Sequence, residues 1–205
     1  MAEAGEAFLR VANRDVDEFT TRSRDVLASA LGVDWAPGPL AQPIRDENLV
    51  RSLRTHIDFV LSRYGDHLEA LADRLDDGST SHITAEWAEG MAHQLANAVF
   101  QDDVTNWGRV LTLVAFAKVL GRRLAARGAP RSACALLDGV VGYLARSKRS
   151  WILDNGGWYG LCLMVCFIRV LFQGTSMQEE GIRHIKACAM VANLWLFVHG
   201  LLFKF

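Results

Sequence analysis

A stretch of eight residues, Val110–Ala117 (VLTLVAFA), has no polar face. Asn106 just ahead of it is a good helix N-cap, so Trp107–Leu120 is predicted to be a helix that is apolar almost all round. Such a helix belongs either at the centre of a domain or inside a membrane. A length of fourteen to twenty residues, flanked by Arg109, Lys118, Arg122 and Arg123, favours the domain centre. The rest of the 205-residue chain, long enough for one substantial domain, then serves largely as a sleeve.

The sleeve is helical throughout, because apolar residues recur every three or four positions and Gly, Pro and polar clusters punctuate them. A first amphipathic helix covers about Glu6–Leu31, with Phe8, Val11, Val16, Phe19, Val26, Leu27 and Leu31 on its inner face. Gly32–Pro43 holds three of the four prolines and reads as a loop. A second helix runs from about Ile44 to Tyr64 on the stripe Leu49, Leu53, Ile57, Val60, Tyr64. Gly65 is expected to break or kink the chain before a short helix, Asp66–Leu75, and DDGSTS at 76–81 is a loop. Thr84 caps a helix reaching Phe100. The GAP at 128–130 turns the chain into a helix over Ser132–Arg149, and one or two more follow in Trp151–Phe172, interrupted at Gly156 and Gly157. The expectation is an all-α domain over residues 1–181, with about seven or eight helices around one central hydrophobic helix.

Hydrophobic residues make up 51% of the chain and charged residues 22%, which excludes a disordered chain. A net charge of −1 argues against a global electrostatic grip on nucleic acid. That total conceals two halves. Residues 1–104 carry nine basic and nineteen acidic side chains, and residues 105–205 carry thirteen basic and four acidic ones, for net charges of −10 and +9. The N-terminal MAEAGEAFLR is acidic where a secretory signal would be basic, and Cys134, Cys162, Cys166 and Cys188 form no CxxC, so a reducing, cytosolic main domain is expected. Residues 182–205 differ. Ala187–Phe203 is seventeen residues without Asp, Glu, Lys or Arg, preceded by Arg183, His184 and Lys186 and followed by Lys204. As a helix it would reach about 25 Å, slightly short of a hydrocarbon core of about 30 Å, and snorkelling lysines could make up the rest. A C-terminal tail-anchor helix is the expectation, and a last core helix folded back on the domain is the alternative.

The sequence carries no recognisable catalytic motif. The sequence holds no GxxxxGK[ST], GxGxxG after a strand, HExxH or GxSxG, and its six histidines show no i, i+4 pair for a metal. The acidic clusters Asp15/Asp17/Glu18 and Asp102/Asp103 read as solvated faces. No enzyme, cofactor or metal is implied.

Two segments spend residues that a bland helix would not. In Asn106-Trp107-Gly108-Arg109, a Gly in the first turn costs helix stability and is best explained by close approach of another backbone. The Arg beside it suits a two-pronged grip on an incoming carboxylate. In Trp151-Ile152-Leu153-Asp154-Asn155-Gly156-Gly157-Trp158, two tryptophans bracket a glycine break. The pair, in this order some forty residues apart, resembles the first and second homology (BH) motifs of the Bcl-2 family of apoptosis regulators. The resemblance runs from about residue 44 to the end, and is nearest the NR-13 and Bcl-B-like branch; cellular and large-DNA-virus copies both fit.

The resemblance implies a hydrophobic groove that receives the amphipathic BH3 death helix of a pro-apoptotic relative, whether a BH3-only or a Bax/Bak-like protein. Arg109 matches the Arg that pairs with the partner's Asp, Asn106 the side chain beside it, and Gly108 the Gly that lets the ligand helix approach. Leu111, Thr112 and Phe116 match the floor, and Val60, Tyr64, Leu68 and Leu71 weaker wall positions. Trp107, Trp151, Gly156, Gly157 and Trp158 match structural positions, with Val165 toward the rim. The chain's own third motif is degenerate: Leu53 and Asp58 are kept, but Ile57 stands where a small residue is wanted. One insertion separates Phe100 from Trp107 relative to the usual spacing, which puts 101–104 in doubt as groove contacts. An anti-apoptotic binding protein, tail-anchored in the mitochondrial outer membrane and facing the cytosol, is therefore expected. The endoplasmic reticulum and nuclear envelope are alternative membranes, and homo- or heterodimers fit the family. The competing reading is a pore-forming, pro-apoptotic effector of the same family, which Ile57 argues against.

Overall fold

The computed structural model describes residues 2–32, 46–75 and 83–162, with side chains described from residue 16 onward. Six α-helices appear among the described residues, and no strand. They are α1 (Ala2–Leu31), α2 (Glu47–Leu75), α3 (Ala85–Val99), α4 (Trp107–Ala126), α5 (Pro130–Tyr143) and α6 (Arg149–Asp154). A π-helical turn, Leu144–Lys148, joins α5 to α6, and a last helical stretch occupies 157–162. The expected 1–181 boundary, Val165 and the tail over 182–205 lie outside the described residues. No helix among the described residues is long and apolar enough to cross a membrane.

Helix α4 is the centre its composition requires. Every residue from 109 to 117 is buried, and α2, α3 and α5 pack around it. Each fully covered Leu or Val there, such as Leu113 and Val110, contributes about 1.5–3 kcal/mol relative to exposure. Asn106 caps the helix as expected, its side chain accepting from the Arg109 backbone N–H at 2.9 Å. Thr84 caps α3 in the same way, accepting from the Trp87 N–H at 3.1 Å.

Helix α2 departs from the expected two pieces. It runs unbroken through Gly65, because the buried stripe Leu49, Leu53, Ile57, Val60, Tyr64, Leu68, Leu71 continues at helical spacing across the glycine. Burial of that whole face outweighs the ~1 kcal/mol that one interior Gly costs. At its start, Asp46 accepts from the Leu49 N–H, and at its side Arg54 donates to the Ser29 and Ala30 carbonyls at the end of α1. Ile57 and Leu53 are buried in this chain's own core, whereas Asp58 is exposed.

Helices α3 and α5 approach each other closely. Ala88, Ala92 and Ala96, one turn apart, are fully buried, and a Cβ added to Gly139 would sit 2.7 Å from the Ala92 Cβ. Small residues on both helices let the backbones meet. The expected uniform helix over 132–149 instead widens into the π turn, which keeps Leu144 and Ala145 in the core and sets the Lys148 ammonium 4.7 Å above the Phe100 ring.

Candidate functional site

The two motifs meet. Trp107, at the first turn of α4, lies edge-on to Trp151 of α6 with ring centroids 5.0 Å apart, and 6.2 Å from Trp158. Such aromatic pairs contribute about 0.5–1.5 kcal/mol beyond their buried area. The Trp158 indole N–H donates to the Ser23 hydroxyl at 3.0 Å, deep in the core, and so ties the second motif to α1. Between the tryptophans, Gly156 and Gly157 hold φ at +85° and +61°, which ends α6 and reverses the chain. Gly160, three residues further on, is constrained still more tightly. A Cβ there would stand 1.7 Å from the Asn155 carbonyl oxygen. Sequence spacing singled out Gly156 and Gly157 but not Gly160 or Ser23, since nothing local marks a contact made by folding back.

Arg109 sits one turn into α4 with its side chain almost wholly covered. Gly108 beside it is half-buried, and the Gly108 carbonyl accepts from the Thr112 hydroxyl at 2.9 Å. The guanidinium makes a two-pronged grip on a carboxylate, as the residue type suggested, but the carboxylate is the chain's own. Its Nη1 donates to Asp102 Oδ1 and its Nη2 donates to Asp102 Oδ2 at 2.8 Å, while Nη1 also donates to the Val104 carbonyl at 2.8 Å. Asp102 is exposed, as expected of a solvated acidic face, and its pairing with Arg109 is what that reading did not foresee. The α3–α4 turn, not a helical period, brings it to Arg109, so its spacing carried no signal. These hydrogen bonds hold the Asp102 carboxyl well below the usual carboxylate range. Asp103 stays exposed, as expected.

The wall and floor residues, Val60, Tyr64, Leu68, Leu71, Leu111, Thr112 and Phe116, are all buried. They belong to the layer where α2 lies along α4, and α2 barely touches α3. Ion pairs run along this layer: Asp58 with Lys118 at 2.9 Å, Glu69 with Arg122 and Arg123, and Asp73 with Arg123. No group of three metal-ligating side chains occurs among the described residues.

The sequence model of the apoptosis regulator proteins of the Bcl-2 family matches residues 53–158, just over half of the chain, and takes in both tryptophan motifs. The chain belongs to the Bcl-2 family. Among Bcl-2 relatives it is 33% identical over 75 residues to the anti-apoptotic protein NR13 of Coturnix japonica. That match covers 37% of this chain and 42% of NR13, so the chain spans less than half the length of this relative. The fold is that of solved Bcl-2-like proteins. The zebrafish pro-survival protein NRZ in complex with a Bad BH3 superposes with a TM-score of 0.58 at 18% identity, over 73% of this chain and 96% of that one. Geodia cydonium BHP2 in complex with Lubomirskia baicalensis Bak-2 gives 0.57 at 15% identity, over 78% and 98%. The NR-13-like branch suggested by the sequence agrees with these matches.

Proposed function

We propose that this protein is an anti-apoptotic member of the family that holds the BH3 helix of a pro-apoptotic relative across α4. The observation that carries the reading is Arg109: its backbone N–H is bound by the cap Asn106, and its buried guanidinium is already oriented to grip a carboxylate with both terminal nitrogens. Arg109 would pair with the partner's Asp, Gly108 would admit its backbone, and Leu111, Thr112 and Phe116 would take its apolar face as α2 yields. Val60, Tyr64, Leu68 and Leu71 would form the wall. The anti-apoptotic name of the NR13 relative supports the survival role, as does Ile57, which is buried in the chain's own core. Residues 182–205 would tether the domain to the mitochondrial outer membrane, on the strength of their seventeen-residue uncharged run.

Synthetic BH3 peptides are the direct test. Binding is expected below micromolar, with Arg109→Ala weakening it by roughly 2–5 kcal/mol because a charged partner is left unpaired. Absence of binding at micromolar concentration would sink the reading. Dye release from liposomes by the protein would favour the pore-forming alternative, for which the apolar α4–α5 pair would serve equally well. Carbonate extraction of the full chain against residues 1–181 tests the tether.

A further inference from the structure

The carboxylate that occupies Arg109 has no role in the function just proposed. It comes from a turn built to present it. Helix α3 ends at Phe100, which is buried and stacked on Tyr143 at 5.9 Å beneath the Lys148 ammonium. The Asp103 N–H donates back to the Phe100 carbonyl at 2.9 Å, and Asp103 itself adopts φ +58°. That reversal places Asp102 over the first turn of α4. Its Oδ1 also accepts the Val104 N–H at 3.1 Å, so the carboxylate is anchored from behind and faces the guanidinium in front. The Val104 carbonyl takes the remaining reach of Nη1. Arg109 therefore meets two acceptors from the same four-residue turn.

Burial on the two sides of the pair is unequal. The Arg109 side chain is 11% exposed and that of Asp102 is 50% exposed. The covered member is the one a partner needs, and the open member is the one that can leave. A rotation about the Asp102 side-chain torsions would free Nη2 and release Nη1 from the carboxylate, leaving Nη1 on the Val104 carbonyl.

We propose that Asp102 is an internal competitor for Arg109, a stand-in for the partner's acidic residue that an incoming helix must displace. This rests on the helix-binding reading above. The device sets a threshold. A helix carrying a carboxylate at the right position exchanges one charge-assisted pair for another, whereas a helix without one leaves the internal pair in place and must bind by its apolar face alone. Arg109 meanwhile remains paired in the free protein, so no buried charge stands uncompensated.

The test is a binding titration of the full chain, wild type and Asp102→Asn, against two synthetic peptides: an acidic BH3 helix, and the same helix with its Asp replaced by Asn. Removing the competitor should tighten the acidic peptide about two- to fivefold, the scale of one partly exposed ion pair, and leave the amide peptide unchanged. Asp102→Ser should reproduce the gain, and unfolding curves for both variants check that the turn survives. Equal tightening of both peptides, or none of the acidic one, would overturn the competitor while leaving helix binding intact. Failure of wild type and variants to bind either peptide would overturn the helix-binding reading, and the competitor with it.

Discussion

Asp103 adopts a left-handed backbone at the point where the chain must reverse between α3 and α4, the only described residue other than glycine to do so. Asp tolerates this region through its short polar side chain, and a β-branched residue does not. Asp103→Val is therefore expected to cost about 1–2 kcal/mol in denaturant unfolding, with Asp103→Gly close to neutral. Its neighbour Asp102 predicts a pH dependence. The Arg109 guanidinium lowers the folded-state pKa, so the pair contributes stability above the unfolded value of about 3.9. That contribution should be present at neutral pH and disappear as acid protonates the folded carboxylate. The stability difference between wild type and Asp102→Asn should shrink as the pH is lowered from 5 toward 2; a constant difference would mean the pair does not act through its charge. At this scale the residue type of Arg109 was legible, and so was its appetite for a carboxylate. The identity of the carboxylate was not, because it arrives through a turn rather than a repeat.

Helices were legible where the pattern of burial and the local breakers agreed. Thr84 and Asn106 each cap a helix as their chemistry demands, whereas Pro130, read as part of a turn, is the first residue of α5. Gly65 is where the two signals conflict, and burial prevailed. A Cβ there would meet nothing within 4 Å, so Gly65→Ala should stabilise the fold by about 0.5–1 kcal/mol, read from thermal or chemical unfolding. A loss of stability would show that α2 needs the flexibility. The π turn at Leu144–Lys148 had no local signature. It is imposed by the need to keep Leu144 and Ala145 inside while Arg149 starts a new helix, a demand made by neighbours and not by 144–148 themselves.

Across the whole molecule, the two oppositely charged halves interlock along the α2–α4 layer. Three acidic residues of α2, Asp58, Glu69 and Asp73, reach three cations of α4, Lys118, Arg122 and Arg123. Glu69 is the hub, pairing with Arg122 at 2.6 Å and with Arg123 at 2.5 Å. Glu69→Gln is expected to cost about 0.5–1 kcal/mol at low ionic strength, and the loss should fade near ~1 M salt, where screening acts within about 3 Å. A loss independent of salt would assign the effect to packing. The same layer covers the residues proposed to receive a partner, and its ion pairs hold α2 over α4. The amino-acid sequence alone dictated an all-helical domain, a central apolar α4 and the cap that starts it, because helical period and cap chemistry act over a few residues. Folding decided which carboxylate Arg109 holds, that α2 is continuous and lies over α4, and where α3 and α5 can touch. Those outcomes depend on the path of a turn or on groups far apart in the chain, which no helical pattern encodes.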